Sequence, residues 1–331
     1  MKVLVSGVTG FLGGRIAARL ATSGHAVRGF VREPARWTPR PEGTEVAVGD
    51  VTDAAAFRKA AEGCDVIVHA AALVKVWVKD AAQFDRVNVG GFSNALEASR
   101  ATGARLVYVS SFFALGPTDG TEFDEETPHP ALGPFNDYER TKLAADRLAR
   151  EAAAAGLPVV RLYPGVIYGP GALTEGNHVV LTLLQHARGK LPGMLGPGDR
   201  RWCFAYVEDV AEGAVTAAAR AAPGSAYLLG GDNRTLNDLF ALFARETGIA
   251  PPRIRIPYGV ASGIGRLQRL GAEWFGIAPQ LTEREVAIYR HEWAYRSERA
   301  VRELGYVARP LEDGVARTVA WLRETGALPG S

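Results

Sequence analysis

Short apolar runs alternate through the first half of the chain with longer stretches in which small and apolar residues recur every three or four positions. The runs KVLVS (2–6), AVRGFV (26–31), EVAVGD (45–50), DVIVHAA (65–71) and RLVYVSS (105–111) are rich in β-branched residues and apolar enough for strands buried on both faces. Between and after them FLGGRIAARLATSG (11–24), AAAFRKAAEG (54–63), QFDRVNVGGFSNALEASRATG (83–103) and YERTKLAADRLAREAAAAG (138–156) read as helices, the last closed by Gly156. This alternation predicts βαβ units: an α/β chain with a Rossmann-type, doubly wound parallel sheet.

The stretch LPVVRLYPGVIYGPG (157–171) adds a strand with a Pro/Gly-rich exit, after which the rhythm loosens around GKLPGMLGPGD (189–199). The expected division is a dinucleotide-binding domain over 1–171, with 204–232 returning to it, and a smaller C-terminal substrate-binding lobe over 172–203 and 233–331. Within 204–232, FAYVEDVAEGAVTAAAR (204–220) reads as a strand and helix rejoining the main sheet. In the lobe, YGVASGIGRLQRLGAEWFG (258–276) places Leu267, Leu270, Trp274 and Phe275 at helical spacing; a helix packed on the core is preferred there over a membrane-contacting face. The tail LPGS (328–331) is expected to fray.

Composition narrows the partners. Thirty-eight Lys and Arg against 36 Asp and Glu leave a formal charge of +2, too balanced for a nucleic-acid binder or a membrane-surface protein. No apolar run reaches the ~18–20 residues that span a bilayer, so stable membrane insertion is not expected. Cys64 and Cys203 lack zinc or redox spacing; no metal site is expected, and a reducing compartment fits. MKVLVSG enters the first strand at once, leaving no room for a signal peptide, so a cytoplasmic location and a small-molecule ligand are expected.

Gly7, Gly10 and Gly13 in SGVTGFLGG form GxxGxxG between the first strand and its helix. Glycines there permit a tight turn, close approach of backbone to a pyrophosphate, and tight packing of helix on strand. With Thr9, Phe11 and Leu12 they make up the candidate phosphate cradle. At the end of the second strand an acidic residue would bond the 2′-hydroxyl of NAD, whereas arginine suits the 2′-phosphate of NADP. That position holds Val31, followed by Arg32, which favours NADP(H) over NAD(H), although Glu33 could rotate in as the acid. Asp50, with Val51, ends the third strand where an adenine edge would lie; Asp50 also suits the N-cap of the next helix. The small residues Ala70, Ala71 and Ala72 end the fourth strand, as a backbone lying against a dinucleotide requires. His69 reads as a packed core histidine.

Tyr138 and Lys142 stand four apart at a helix start, on one face. Bringing a phenol from its ordinary pKa of ~10 to near 7 takes about 4 kcal/mol, a term that an ammonium one turn away and a positive nicotinamide can supply. The pair would then transfer a proton to or from a carbonyl/alcohol oxygen.

GxxGxxG, a serine-bearing strand end and YxxxK, in that order, resemble the extended short-chain dehydrogenase/reductase family, also described as NAD-dependent epimerase/dehydratase. The resemblance runs from KVLVSGVTGFLG through HAAA, VNVGG, SSFFALG, YERTK, LYPGVIYGPG and FAYVEDVAEG to SERAVRELGY. HAAALVKVW, SSFFALG and HEWAY are similar to the dihydroflavonol 4-reductase branch, with its farnesol dehydrogenase-like members and hopanoid-associated sugar epimerases. The resemblance implies that Ser111 holds the substrate oxygen beside Tyr138, a choice over Ser110 that periodicity does not make. It implies further that Lys142 contacts the nicotinamide ribose, that Asn88 supports the site's backbone, and that Pro164, Gly165 and Val166 line the nicotinamide. A homodimer through the two long helices flanking the sheet is implied too. Tyr206 departs from the pattern, since many relatives carry histidine there.

Relatives that dehydrate nucleotide sugars carry an acid pair after the catalytic hydroxyl, and this chain carries Phe112 and Phe113, which removes the acid and base of that chemistry. The aromatics would offer an apolar substrate a surface, although strand alternation could send Phe113 into the core instead. Epimerases of the family carry asparagine where Pro164 stands. Trp77, Phe135, His178 and Met194 complete the candidate pocket. The expected activity is therefore NAD(P)(H)-dependent interconversion of a carbonyl and an alcohol on a largely apolar molecule. A nucleotide-sugar epimerase with tightly bound NAD is the alternative, and a non-catalytic sensor fits less well with an intact Ser, Tyr and Lys set.

Overall fold

A computed structural model describes residues 1–128 and 132–328. The strands are β1 (Lys2–Ser6), β2 (Ala26–Val31), β3 (Glu45–Val48), β4 (Val66–His69), β5 (Arg105–Val109), β6 (Val159–Pro164), β7 (Val166–Tyr168), β8 (Met194–Leu195), β9 (Arg201–Tyr206), β10 (Ala226–Leu229), β11 (Asp232–Thr235) and β12 (Arg255–Ile256). The first helices are α1 (Phe11–Thr22), α2 (Ala54–Ala61), a single turn α3 (Ala82–Phe84), α4 (Gly91–Thr102), α5 (Asp137–Ala154) and α6 (His178–Ala187). They are followed by α7 (Val207–Arg220), α8 (Leu236–Thr247), α9 (Tyr258–Phe275), α10 (Glu283–Ile288), α11 (Glu298–Leu304) and α12 (Leu311–Glu324).

Seven strands form one sheet in the order β10-β6-β5-β4-β1-β2-β3, with every pairing parallel. The alternation of side chains explains the continuous apolar runs. Val3, Val5, Val68 and Val107 join the core that holds Ile16 and Leu20 of α1 and Val210 and Ala214 of α7. Leu4, Ile67 and Leu106 instead join the core that holds Phe57 of α2, Phe92 and Leu96 of α4, and Ala145 and Ala149 of α5. Each strand therefore buries both faces, and the order reverses beside β1, the topological switch point where such sheets hold ligands.

Helix ends follow local chemistry. Asp53 caps α2, its carboxylate accepting from the Ala55 and Ala56 N–H groups at 3.0 Å, and Asn136 caps α5 by accepting from Glu139 N at 2.8 Å. Asp50 does not take the α2 cap suggested by sequence, because Asp53 lies directly before the first turn. The helix expected over 83–103 contains a π-helical turn, Asp85–Gly90, a widening that helices show often at functional sites.

Three expectations differ from the structure. The segment 157–171 forms two strands rather than one: β7 leaves the main sheet after Gly165 and pairs with β9 in a second, three-stranded sheet. The strand at 204–206 therefore belongs to that second sheet, and β10 supplies the returning strand of the main one. The third concerns α9, whose core-facing residues are Ala261, Gly265 and Ala272, while Leu267, Trp274 and Phe275 point away from the protein. Of the tail, 329–331 lies outside the described residues. A third core under the lobe gathers Leu183, Phe240, Phe243, Trp293, Val315 and Leu322.

Candidate active site

The C-terminal ends of β1, β4, β5 and β6 lie side by side along one edge of the parallel sheet, where such sheets hold ligands in a cleft. Gly7 has φ +81°, and a Cβ there would lie 2.7 Å from Ala71 N; a Cβ on Gly13 would lie 2.2 Å from Gly7 O. The α1 N-cap is Gly10, which supplies no side-chain cap, so the first-turn N–H groups are left for a ligand. This backbone cradle fits a pyrophosphate. Beyond β4, the half-buried run Ala70–Ala72 leads to Leu73, whose N–H donates to Asn88 Oδ1 at 2.6 Å. Asn88 sits in the π turn and donates through Nδ2 to Leu73 O at 3.3 Å and to Thr141 Oγ1 at 2.9 Å, tying the cradle wall to α5.

Farther along the sheet, Arg32 and Asp50 lie together, with Nη1 3.7 Å from Oδ2 and Arg32 65% exposed. Burial works to raise the Asp50 pKa, but the Thr52 N–H and hydroxyl, with Arg32, outweigh it and leave the carboxyl below its ordinary value. Val51 is fixed through its carbonyl, which accepts from Asn94 Nδ2 at 2.8 Å. His69 is a core residue. Its Nδ1 lies 2.9 Å from Ser6 Oγ, its ring packs among Phe57, Phe92 and Tyr108, and burial pulls its pKa down to about 3.

Ser111 follows β5 and caps the 3-10 turn Phe112–Ala114 by accepting from Phe113 N at 3.2 Å. Its hydroxyl also lies near enough to the Tyr138 phenol to favour the ionised form, whereas Ser110 is held at its backbone, N to Leu162 O at 2.8 Å. Lys142 follows Tyr138 by one turn of α5, is 4% exposed, and donates from Nζ to Val109 O at 2.9 Å, with Nζ 5.9 Å from the Tyr138 ring centroid. Ser111, Tyr138 and Lys142 are thus gathered at one place. The protein's own groups do not by themselves bring the phenol toward 7. Desolvation pushes Tyr138 up to about 12 against the lowering influence of the Ser111 hydroxyl, and burial pulls Lys142 down to about 7. The protein's own groups therefore hold the phenol protonated.

Facing this pair is a wall of rings. Phe113 stands edge-on to Tyr138 (centroids 6.2 Å), Trp202 (6.4 Å) and Trp293 (4.7 Å). Trp202 leans on Tyr289 at 5.2 Å, and Phe135 stacks on His291 at 4.8 Å. His178, at the start of α6, reaches Tyr289 Oη with Nε2 at 3.3 Å. Of the two phenylalanines expected to line the pocket, the turn after Ser111 sends Phe112, and not Phe113, into the core. Phe112, 2% exposed, is the core residue, packed edge-on against Trp293 and Tyr295, while half-buried Phe113 faces the cleft. Met194, 3% exposed in β8, is likewise core rather than lining. Trp77 lies half-buried in the loop after β4, with no ring contact to the wall among the described residues. Tyr206 is buried under the Arg309 guanidinium, 4.3 Å from its ring centroid, and Arg309 in turn pairs with Asp209 at 2.7 Å.

Trp202, Tyr289 and Trp293 were not picked out by sequence, nor were two acids, Glu139 on α5 and Glu285 on α10. Trp202 and Trp293 are 91 positions apart and meet because Cys203 N donates to Trp293 O at 2.9 Å and Trp293 N to Arg201 O at 2.8 Å. Glu139 accepts from Phe135 N at 2.9 Å, and Glu285 accepts from Asn136 Nδ2 at 2.7 Å. Burial pushes Glu139 up to about 8 and Glu285 up to about 7. The HEWAY stretch carried a signal for Trp293; nothing in the local sequence marked the acids.

The model of the NAD dependent epimerase/dehydratase family matches residues 3–230. The chain belongs to that family. It is an NAD(P)-dependent short-chain dehydrogenase/reductase of the extended type, in a family that uses nicotinamide cofactors. Among its relatives, "Sterol demethylase protein B" of Methylococcus capsulatus is 30% identical over 99% of this chain and 100% of its own length. A 4-hydroxy-2-methyl-3-oxo-4-farnesyl-3,4-dihydroquinoline-1-oxide ketoreductase of Stigmatella aurantiaca is 30% identical over 93% of this chain and 92% of its own. The solved structure of MoeE5 with UDP-glucuronic acid and NAD superposes with a TM-score of 0.75 at 26% identity, covering 98% of this chain and 100% of that one.

Proposed function

We propose that this enzyme interconverts a carbonyl and an alcohol on a largely apolar small molecule, of terpenoid, flavonoid, steroid or aryl-ketone type. The observation that carries the reading is half-buried Phe113, edge-on to Tyr138 and backed by the buried rings of Trp202 and Trp293 and by Tyr289, with no carboxylate in the turn after Ser111. Such a wall offers apolar area and few hydrogen-bonding groups, the opposite of what a sugar ring needs. The sterol and farnesyl-quinoline chemistry in the names of the two relatives points the same way.

A bound nicotinamide dinucleotide supplies the hydride that reaches the carbonyl carbon. The protein does the rest. The glycine turn and the α1 N-terminus hold the pyrophosphate, Asn88 fixes the cleft's inner wall, and Pro164, Gly165 and Val166 border the nicotinamide end. Ser111 fixes the substrate oxygen; the Tyr138 phenol donates its proton to that oxygen as the alcohol forms, and takes it back in the reverse direction. Lys142 bonds the ribose and replenishes the phenol's positive surroundings. Arg32 favours NADP(H) at the adenosine end, and two copies joined through α4 and α5 belong to the same reading. A sedimentation mass of one chain would count against that dimer.

The test is purified protein supplied with NADPH or NADH and apolar ketones, in parallel with UDP-glucose. Cofactor oxidation with the ketones, and no change in the UDP-sugar, is the expected result. An epimerised UDP-sugar with no net redox change would replace this reading with the epimerase one, which the likeness to MoeE5 keeps in view.

A further inference from the structure

Among the described residues, seven of the fourteen strongly exposed large apolar side chains fall within 254–277: Ile254, Val260, Ile264, Leu267, Trp274, Phe275 and Ile277. The helical turn of 100° per residue puts Val260, Ile264, Leu267, Trp274 and Phe275 on one face of α9, away from the Ala261–Gly265–Ala272 seam that packs on the protein. Leu267, Trp274 and Phe275 are 71, 77 and 74% exposed. Scattered exposed apolar residues are ordinary, but a continuous helical stripe of this kind marks an interaction surface.

We propose that this face of α9 docks on an anionic lipid bilayer, lying in its interface without crossing it. Charge selects that occupant. Between 253 and 290 there are six arginines against three glutamates and no other charged side chain, so this segment is more positive than the chain as a whole, at +2. Arg269 is paired with Glu273 and Glu283, Arg284 with Asp137, and Arg290 lies over the Tyr258 ring. Among the described residues Arg253, Arg255 and Arg266 are exposed and have no ion-pair partner, leaving three cations on the segment that carries the apolar stripe. A second copy docked face to face would bring these like charges together, whereas phosphate headgroups neutralise them. Tryptophan and phenylalanine at the end of the stripe suit the headgroup boundary.

The helix that carries the stripe adjoins the site through its opposite face. A Cβ on Gly265 would lie 2.6 Å from Glu283 N, so α9 backs directly on α10, and Tyr258 Oη donates to Tyr289 O at 2.6 Å, where Tyr289 belongs to the ring wall. A docked α9 would set the cleft beside the bilayer, from which an apolar substrate could partition. That advantage rests on the proposed function; the docking itself does not.

The experiment is co-sedimentation of the full chain with phosphatidylcholine vesicles, with and without phosphatidylglycerol. The chain is expected to pellet with the mixed vesicles and at least ~10-fold less with phosphatidylcholine alone or in high salt. Trp274→Ser/Phe275→Ser is expected to abolish pelleting with an unchanged melting temperature, and Arg253→Gln/Arg266→Gln to remove most of its salt-sensitive part. Wild-type chain left in the supernatant at low salt overturns the proposal. So does a double variant that pellets like wild type, or one that halves the mass in solution while no vesicle binding is seen, which would make the stripe a protein interface. Pelleting without reduction of any apolar ketone leaves the docking standing and removes the proposed function.

Discussion

The two sides of the cleft are built from different materials. The dinucleotide side is backbone: Gly7, Gly10 and Gly13 bring main chain within reach of a ligand, and a Cβ at Gly7 or Gly13 would collide with that main chain. The substrate side is side chain: rings from the turn after β5, from β9 and from the segment 289–293, carried together by long-range pairing. A backbone cradle accepts one ligand shape and keeps it; a wall of side chains can be redrawn residue by residue. On the proposed reading, the chemistry is set on one side and the choice of substrate on the other.

The sharpest break in that division is at the residue shared by both sides. Tyr138→Phe is expected to lower kcat by about 10²–10⁴ while cofactor affinity and melting temperature stay unchanged. Full turnover in steady-state assays of this variant would remove the proton-transfer role. A smaller effect comes from the first turn of α5. Folding raises the Glu139 pKa from 4.5 to about 8, so the folded form keeps a proton that the unfolded chain releases, and stability falls as pH climbs from about 4.5 through 8. Glu139→Gln removes that loss. Denaturant unfolding should show the variant a few kcal/mol ahead of wild type near pH 9 and level with it near pH 4. The smallest effect tests the cradle's outer end. Arg32→Ala should weaken NADPH by roughly tenfold in isothermal titration and leave NADH unchanged, the cost of one exposed charge-assisted bond. An equal loss for both would make Arg32 a general surface charge.

The same contrast explains what the sequence made legible. The order of strands and helices, the glycine turn, and Tyr138 with Lys142 are written locally, in periods of two and 3.6 and in spacings of three and four. The departures come where distant segments decide. Gly165 lets β7 swing away because its pairing partner, β9, begins 36 positions on, at Arg201. Phe112 rather than Phe113 enters the core because the chain turns into a 3-10 segment at Ser111 rather than continuing as a strand. The raised carboxyls of Glu139 and Glu285 arise from burial by packed elements, and burial by distant segments leaves no local pattern. On α9, apolar spacing marked a helix correctly but could not tell a face turned to the core from one turned outward.

The central claim is that the ring wall selects apolar substrates. Its most direct test is kcat/KM for a homologous series of ketones of increasing alkyl length, on wild type and on Phe113→Ala. Wild type should gain up to ~4-fold per methylene, corresponding to about 0.8 kcal/mol of buried CH2, until the chain outgrows the wall; the variant should gain much less. A flat series on wild type, or the same slope for both proteins, would contradict it.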